Sequence, residues 1–319
     1  MIIRSFLILL SMSFTLHSEE NFGIVVHGGA GVMSGLSEKA QQEIHKNIQE
    51  SISEAYAILE GGGSSLDAVE HAVSMLEDSP LFNAGRGSVY NSDEVQEMDA
   101  SIMDGKDRLT GAIASVSIIK NPIKLARKVA EETKHVLLVG EGAERFAKDV
   151  GVEIVDKDYF HHEERYQRVL NSKKQISKSM QSSDKIGTVG AVALDRNGNI
   201  AAATSTGGMT NKMPGRVGDS PIIGSGTWAQ NGVCGVSSTG HGEFFIKYQV
   251  AREVCVRIEY LNQTLSDSAE SIISELNALE AKGGLIAIDH MGKISTPFNT
   301  KGMIRGSQTN KTELKSYIY

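Results

Sequence analysis

One Gly-Thr pair, Gly187-Thr188, stands where a polar stretch of chain meets a predicted buried strand. A threonine hydroxyl is a poor nucleophile unless a base removes its proton. An amino-terminal threonine carries its own base, because its α-amine has a pKa near ~8 and lies beside the hydroxyl. Cleavage of the Gly187–Thr188 bond would expose that amine, and a glycine on the acyl side tolerates the strained geometry of such an attack. Taken alone, a Gly-Thr pair before a strand predicts no chemistry.

A second candidate site lies downstream, where Arg216 and Asp219 occur three residues apart in a loop bounded by Gly215 and Pro221. A guanidinium binds a carboxylate through two parallel hydrogen bonds, and an aspartate pairs with an ammonium. Together the two side chains match the charged ends of a free amino acid. The alternative is that they pair with each other at the surface.

These residues need a scaffold, and apolar periodicity predicts one made of clustered strands and clustered helices. Helices are predicted after the N-caps Ser37 and Ser64, the second with a capping box that includes Asp67. The turn over residues 196–199 predicts a hairpin. Because strands and helices do not alternate strictly, the pattern favours a layered α+β fold over a doubly wound one. Strands are predicted over 23–27, 109–119, 136–140, 189–194, 200–206, 284–289 and 293–298, and further helices from Pro122, over Glu243–Tyr260 and over Ser266–Lys282.

Residues 161–187 differ from their surroundings because they are polar and poor in large apolar side chains. This composition predicts a mobile linker. The run His161-His162-Glu163-Glu164 contains metal-binding residue types, but no second group of ligands accompanies it. A solvated surface segment is therefore the preferred interpretation.

The amino terminus predicts a secretory signal peptide over residues 1–18. Arg4 supplies a positive charge, and Phe6–Leu16 is an apolar run too short to span a bilayer. Polar residues follow, with removal expected near Ser18. A buried first strand is the alternative. The mature protein is accordingly expected to be secreted or periplasmic and free of the membrane.

Composition limits the function further. The chain has 319 residues, of which 40% are hydrophobic, and this suits a globular protein with a large core. Its formal net charge of −7 and the lack of a Lys/Arg-rich stripe argue against nucleic-acid binding. Cys234 and Cys255 lie in apolar segments and are expected to be buried free thiols. The sequence contains no Walker loop and no His-Glu-x-x-His zinc motif.

Several long motifs follow one another in a single order along the chain. They are His27-Gly28-Gly29-Ala30-Gly31, Phe82–Gly85, Met98–Gly105, Gly187–Val192, Thr204–Lys212, Gly215–Pro221, Thr239–Glu243 and Pro297–Thr300. Through them the chain resembles the plant-type asparaginase/isoaspartyl peptidase family of N-terminal-nucleophile hydrolases. The resemblance implies an αββα sandwich in which an α subunit, residues 19–187, and a β subunit, residues 188–319, share one core. It also implies a heterotetramer of two α and two β subunits and no organic cofactor.

The resemblance assigns the nucleophile to Thr188, which would act in both self-cleavage and substrate hydrolysis. Thr206 would supply a second hydroxyl that orients Thr188 or its amine. The Thr239 hydroxyl and the Gly240 N–H would form the oxyanion hole, which suits acyl transfer because both donors point at the developing charge. Asn83 would steady the nucleophile.

Substrate binding in the family falls to Arg216 and Asp219, which would hold the α-carboxylate and α-amine of an aspartyl or asparagine residue, with the Gly242 carbonyl assisting. Thr239 and Gly240 would also contact the substrate. The implied reaction is hydrolysis of isoaspartyl dipeptides and L-asparagine to L-aspartate through an aspartyl-threonine ester.

The resemblance also implies a structural sodium ion in the loop from Leu76 to Arg86. The ion would be bound by main-chain carbonyls, which tolerate changes of side chain, although a neighbouring arginine charge is unfavourable to a cation. The carbonyls belong to Leu76, Glu77, Ser79, Phe82, Ala84 and Arg86.

Two other functions fit parts of this pattern. A glycosylasparaginase of the same fold also binds a free aspartyl end, but the motif at residues 27–31 and the glycine before Thr188 favour the plant-type branch. A catalytically inactive secreted binding protein could keep the fold. The complete set of predicted catalytic residues argues against that second alternative.

Overall fold

The computed structural model describes residues 20–31, 33, 35–174 and 187–319. The predicted signal peptide lies outside the described residues, as does the part of the predicted linker from 175 to 186. Within the described ranges, eight α-helices accompany two β-sheets. No helix in these ranges is long and apolar enough to cross a membrane.

The larger sheet carries the chain on both sides of the Gly187–Thr188 bond. Numbered along the chain, its strands are β1 (Gly23–Gly31), β2 (Met98–Asp104), β3 (Thr110–Val116), β4 (Leu137–Val139), β5 (Val189–Leu194), β6 (Ile200–Thr206), β11 (Gly302–Thr309) and β12 (Thr312–Tyr317). They lie in the order β12-β11-β1-β5-β6-β2-β3-β4, and only β3 and β4 pair in parallel. Strand β5, which begins directly after Thr188, is therefore flanked by β1 and β6.

The smaller sheet carries the predicted oxyanion hole at the end of one strand. Its strands are β7 (Thr227–Gln230), β8 (Cys234–Gly240), β9 (Gly283–Asp289) and β10 (Ile294–Ser295). They pair antiparallel in the order β10-β9-β8-β7. The two predicted hairpins, β5–β6 and β9–β10, are confirmed.

The helices cover the sheets with amphipathic faces. They are α1 (Glu38–Glu60), α2 (Ser65–Asp78), α3 (Pro122–Glu132), α4 (Gly140–Asp149), α5 (Glu163–Lys174), α6 (Gly242–Tyr248), α7 (Val250–Leu261) and α8 (Leu265–Ala278). Ser37 and Ser64 accept from the main-chain N–H groups of Ala40 and Asp67, which confirms both predicted N-caps. Along α1, Ile44, Ile48 and Ile52 are buried, each burial stabilising the fold by about 1.5–3 kcal/mol.

The sheets contact each other, with β1, β5 and β6 facing β7, β8 and β9. Helices α1, α2 and α3 contact the larger sheet, and α7 and α8 contact the smaller one. Every residue of β5 and β6 is buried, as expected for strands covered on both faces. The predicted α+β class is confirmed, since helices and mostly antiparallel strands form separate layers.

Helix α5 occupies part of the predicted linker, so the prediction was wrong for Glu163–Lys174. Val169 is buried, and the Tyr166 hydroxyl donates to a Glu94 carboxylate oxygen over 2.7 Å. The Lys173 ammonium donates to the other Glu94 oxygen over 2.6 Å. These contacts link residues 72 or more positions apart in sequence, and the local polar composition gives no sign of them.

The single helix predicted over Glu243–Tyr260 is instead two helices, α6 and α7. Gln249 separates them because it adopts the left-handed conformation, with φ 51°. Its side-chain amide donates to the Ser225 hydroxyl over 3.0 Å, a tertiary contact that fixes the break.

The cysteines are buried as predicted, but they are not free thiols. Cys234 and Cys255 form a disulfide that joins the start of β8 to α7. The two residues are 21 positions apart in sequence and become neighbours only because α7 packs on β8. Apolar surroundings therefore predicted their burial and not their partnership.

Candidate active site

The predicted nucleophile lies at the edge of the buried core. Thr188 is half-buried, whereas Thr206, at the end of the neighbouring strand β6, is almost fully buried. The Thr188 hydroxyl donates to Thr206 Oγ1 over 3.0 Å. The main-chain N–H of Gly208 donates to the same Thr206 oxygen over 3.0 Å. Thr206 thus accepts two hydrogen bonds, and its position fixes the direction of the Thr188 hydroxyl.

Asn83 connects the loops on either side of these threonines. Its main-chain N–H donates to the Gly187 carbonyl over 3.3 Å, and its own carbonyl accepts from Gly207 N over 3.0 Å. Its side-chain amide donates to the Gly208 carbonyl over 2.7 Å and its Oδ1 accepts from Val89 N over 3.0 Å. Asn83 therefore contacts the residue before the nucleophile and the turn that follows Thr206.

The Gly187–Thr188 bond is wedged against the end of β1. Gly29 has φ 101°, and a Cβ placed on it would lie 2.4 Å from Gly187 N, so only glycine fits there. On the other side, a Cβ on Gly187 would lie 3.3 Å from Thr239 Oγ1. Thr239 Oγ1 in turn accepts from Ala30 N over 3.3 Å. The residue predicted to form an oxyanion hole therefore lies beside the bond predicted to be cut.

Gly240 is the last residue of β8 and has φ 152°. A Cβ at this position would lie 2.4 Å from the Lys282 carbonyl. The left-handed conformation and the close approach of the Lys282 backbone both require glycine. The residue is held in a single conformation, which suits a main-chain donor that must point in a fixed direction.

Arg216 and Asp219 converge on Gly242, at the start of α6. A Cβ on Gly242 would lie 2.9 Å from Arg216 Nη2 and 2.9 Å from Asp219 Oδ1. The two side chains do not pair with each other, contrary to the alternative considered from the sequence. Arg216 binds Glu243 instead, with Nε and Nη2 at 3.0 and 2.9 Å from one carboxylate oxygen.

The Asp219 carboxyl is buried without a charged partner within the residues that the structure describes. It is 5% exposed, and its Oδ2 has no hydrogen-bond partner among the described residues. Burial raises the pKa of Asp219 to about 7. A buried carboxylate with an unpaired oxygen is unfavourable unless a cation arrives to pair with it. The loop is therefore electrostatically prepared for an ammonium group.

Glu243 differs from Asp219 in this respect. Burial raises the pKa of its carboxyl, but the neighbouring Arg216 guanidinium outweighs that effect and leaves the pKa below its usual range. Glu243 is therefore ionised at neutral pH and holds the Arg216 fork in place from one side. The Arg216 side chain is 17% exposed.

Comparison with known proteins places nearly the whole chain in one family. A family model described as asparaginase matches residues 20–318. The chain belongs to the asparaginase family. This match confirms the resemblance read from the motifs and the prediction that the protein is an enzyme.

Individual relatives of this family member match it over most of its length. An isoaspartyl peptidase from Escherichia coli K12 is 46% identical over 292 residues, which cover 88% of this chain and 91% of the relative. The isoaspartyl peptidase/L-asparaginase of Rattus norvegicus is 46% identical over 273 residues, covering 84% and 80% of the two chains. The human protein of the same name is 44% identical over 273 residues, covering 84% and 87%.

The loop from Leu76 to Arg86 folds back closely on its own backbone in this asparaginase-family chain, and two of its carbonyls, those of Leu76 and Ala84, accept main-chain hydrogen bonds from Ser79 and Gly87. A Cβ on Gly87 would lie 2.0 Å from the Phe82 carbonyl oxygen, and one on Gly85 would lie 2.4 Å from the Glu77 carbonyl oxygen. Only glycines let the loop fold back so closely on its own carbonyls. Main-chain carbonyls are the type of donor that hard cations prefer, and the sodium site in this loop stays a prediction.

Sequence reasoning missed two acidic side chains of the site. Glu243 is the last residue of the Thr239–Glu243 motif but was assigned no role, and its place directly after Gly242 is the signal that could have identified one. Glu77 was named only for its carbonyl, yet its buried carboxyl accepts from the hydroxyl of Ser205, the neighbour of Thr206, over 2.6 Å. Burial raises the pKa of Glu77 to about 8, so the group is mostly protonated at pH 7. No local pattern indicates this contact, which spans 128 positions.

Proposed function

We propose that this chain cuts itself between Gly187 and Thr188 and then hydrolyses isoaspartyl dipeptides and L-asparagine to L-aspartate. The observation that carries the proposal is the hydrogen bond between the Thr188 and Thr206 hydroxyls, with Thr239 Oγ1 beside the preceding residue, Gly187. The names of the relatives, isoaspartyl peptidase and L-asparaginase, support the same reaction.

In self-cleavage, Thr188 Oγ attacks the Gly187 carbonyl carbon. The Gly187–Thr188 C–N bond breaks, the Thr188 nitrogen takes up a proton, and an ester links the two residues. Water then hydrolyses that ester to a Gly187 carboxylate and a free Thr188. The Gly187 carbonyl already accepts a hydrogen bond from Asn83 N, and Thr239 Oγ1 lies beside Gly187, so both groups would stabilise the negative charge that develops on the carbonyl.

In substrate hydrolysis, the freed α-amine of Thr188 takes the proton from its own hydroxyl. The oxygen attacks the side-chain carbonyl of the aspartyl residue, and Thr239 Oγ1 and Gly240 N donate to the resulting oxyanion. The leaving amine departs with a proton, and water releases aspartate from the ester. Thr206 keeps the attacking hydroxyl oriented through both steps.

Specificity follows from the charges on the Arg216–Asp219 loop. Arg216 would bind the α-carboxylate of the aspartyl residue, and Asp219 with the Gly242 carbonyl would bind its α-amine. A normal aspartyl dipeptide uses its α-carboxyl in the peptide bond and so lacks the group that Arg216 binds. An isoaspartyl dipeptide keeps both charged ends free and presents its peptide bond at the side-chain carbonyl.

The subunit organisation of the family is part of the proposal. The α subunit, residues 19–187, and the β subunit, residues 188–319, would share one αββα sandwich. Two such pairs would form a heterotetramer, with a sodium ion in the Leu76–Arg86 loop as a structural element. The two facing sheets with helices on their outer sides support the sandwich. Light scattering of the purified enzyme tests the heterotetramer.

We also propose export of the protein after removal of residues 1–18. The Cys234–Cys255 disulfide supports it, because structural disulfides persist in oxidising compartments. Mass spectrometry of the mature protein should find an amino terminus near Glu19. Mature cytoplasmic protein that still starts at Met1 would refute export and leave the catalytic proposal intact.

The reaction is tested on wild-type protein in two steps. Mass spectrometry should find two chains, the second starting at Thr188. Aspartate should then be released from β-linked Asp-Leu and from L-asparagine, but not from α-linked Asp-Leu. Hydrolysis of glycosyl-asparagine alone would favour a glycosylasparaginase. An uncut and inactive chain would favour a binding protein.

A further inference from the structure

One serine hydroxyl of strand β8 lies over β5 and contacts both neighbours of β5 in the larger sheet. Ser237 Oγ lies 3.0 Å from His27 Nε2 on β1 and 2.7 Å from Thr204 Oγ1 on β6. Strands β1 and β6 are the two neighbours of β5 in the sheet. The serine of one sheet therefore bridges both strands that flank the nucleophile strand of the other.

The residue beneath this bridge is Gly190. In the strand register, Gly190 lies directly opposite His27 on one side and Thr204 on the other. A Cβ on Gly190 would lie 2.0 Å from Ser237 Oγ and 2.5 Å from His27 Nε2. The Ser237 hydroxyl thus occupies the space that a side chain at position 190 would need. We call this arrangement the serine seat: Ser237 over Gly190, bonded to His27 and Thr204.

The serine seat is buried and uncharged. All four of its residues are buried, and Thr204 is held further by the Thr227 hydroxyl at 2.7 Å. Burial lowers the pKa of His27 to about 3, so the imidazole is neutral at physiological pH. Buried polar groups that are hydrogen-bonded on both sides resist displacement, because moving them would leave donors or acceptors unpaired.

Gly190 and Ser237 of the serine seat each lie two positions away from a predicted catalytic residue. Thr188 is two residues before Gly190, and Thr239 is two residues after Ser237. Because side chains alternate along a strand, Ser237 and Thr239 project from the same face of β8. Both residues contact β1: Ser237 through His27, and Thr239 through Ala30 N near the end of the strand. Any sliding of β8 over β5 therefore changes the distance between nucleophile and oxyanion hole.

We propose that Ser237 is a positioning residue whose hydroxyl, seated over Gly190, sets the distance between Thr188 and the Thr239–Gly240 oxyanion hole. The inference rests on the proposed function, since it concerns how that reaction is aligned. Ser237 is fully buried between the two sheets. It acts through the strands that carry the reacting groups, and a displacement of about 1 Å in such groups lowers rates by up to about a hundredfold.

The neighbouring residue provides a matched control. Ser238 is equally buried on β8 and projects from the opposite face. Its hydroxyl has no hydrogen-bond partner in the described part of the chain. Ser237→Ala and Ser238→Ala remove the same atom from adjacent buried positions, and only the first empties the seat.

The experiment compares both variants with wild type in full-length protein. It measures the self-cleavage rate by gel, kcat and KM on β-linked Asp-Leu, and the melting temperature. We expect Ser237→Ala to lower self-cleavage and kcat about tenfold or more, with KM within about threefold, because the Arg216–Asp219 loop is untouched. Ser238→Ala should match wild type in all four values. Equal kcat in the two variants would overturn the proposal, as would a Ser237→Ala defect confined to KM or to melting temperature.

A second variant covers the case in which Ser237→Ala does not fold. Thr204→Val keeps the shape of the side chain and removes the hydroxyl that anchors Ser237 on β6. It should lower kcat and self-cleavage in the same direction, and values equal to wild type would overturn the proposal. An uncut, inactive wild-type enzyme is a different result, because it contradicts the proposed function itself.

Discussion

Around Thr188 the polar contacts are made by uncharged groups, namely hydroxyls, main-chain groups and the Asn83 amide, whereas around Asp219 they are made by charged side chains. We call the first region the nucleophile centre (Thr188, Thr206, Asn83) and the second the amino-acid loop (Arg216–Asp219 with Glu243). The nucleophile centre is aligned by short neutral hydrogen bonds of 2.7–3.3 Å. The amino-acid loop holds an ion pair and one carboxyl with a raised pKa.

The difference separates two tasks. In the proposed self-cleavage the Gly187 carbonyl lies within the chain, where no free α-amine or α-carboxylate exists, so the reaction needs the nucleophile centre and the adjacent Thr239 hydroxyl but not the amino-acid loop. Substrate hydrolysis must also recognise a separate molecule, so it needs the amino-acid loop as well. Variants in the two regions should therefore fail in different ways.

The largest effect is expected from Thr188→Ala, which removes the attacking oxygen. The variant should fold, stay as one chain and lose hydrolysis by more than about a thousandfold. A gel and an aspartate-release assay measure both properties. Thr312→Ala, at an exposed threonine on β12, is the control and should behave as wild type. A cut Thr188→Ala product would rule out the hydroxyl as the agent of cleavage.

Arg216→Ala should separate the two regions most clearly. Losing a charge partner of the substrate typically weakens binding by ~2–5 kcal/mol, so kcat/KM for β-linked Asp-Leu should fall about tenfold or more. Self-cleavage should proceed at the wild-type rate. Arg216→Lys should recover only part of the activity, because an ammonium cannot reproduce the two-pronged guanidinium contact.

The control for this arginine is Arg145→Ala, at an exposed position on α4. It should leave kcat/KM and self-cleavage unchanged. An Arg216→Ala enzyme with full activity, or one that no longer cuts itself, would show that the two regions are not separable in this way.

Asp219 predicts a pH dependence that belongs to the amino-acid loop alone. Its carboxyl has a pKa of about 7 in the free enzyme, and only the ionised form attracts the substrate ammonium. Falling pH protonates it, so kcat/KM should fall as pH drops through about 7, in addition to the loss caused by protonation of the Thr188 amine. Asp219→Asn should lower kcat/KM and remove one of these two proton dependences from the acidic side of the pH profile. An unchanged profile would contradict this assignment.

The smallest effect on catalysis is expected at the disulfide, which lies in neither region. Replacing both Cys234 and Cys255 with serine should lower the free energy of unfolding by ~3 kcal/mol, because the reduced chain gains loop freedom when unfolded. At 25 °C kcat should stay near the wild-type value. Denaturant titration measures the change, and wild type unfolded under reducing conditions should match the variant. Two titratable free thiols in purified enzyme would contradict the bond.

Local sequence signals predicted much of this fold. The helices after Ser37 and Ser64, the two hairpins and the buried β5 and β6 follow from capping residues, turn residues and apolar periodicity. The places where prediction was wrong depend on distant partners. Gln249 breaks a helix through a contact with Ser225, and α5 is held by Glu94.

The candidate site shows the same division. Thr188, Thr206, Arg216 and Asp219 stand in motifs with recognisable chemistry. The structure joins Thr188 to Thr206 and brings Arg216 and Asp219 together at Gly242. Arg216 pairs with Glu243 and not with Asp219, so the Asp219 carboxyl lacks a charged partner in the part of the chain that the structure describes. This pairing depends on how α6, which carries Glu243, packs against the loop that carries Arg216. Side chains that act through others, such as Ser237, have no sequence motif of their own, because their role depends on which distant strands they contact.

The serine seat also has a consequence for how this sequence can change over generations. A methyl group at position 190 would collide with both Ser237 and His27, which belong to segments far from it in the chain. Position 190 can therefore gain a side chain only after the two distant positions have become smaller or moved. We expect these three positions to change together, so that a side chain appears at position 190 only in lineages where both Ser237 and His27 have been replaced or displaced.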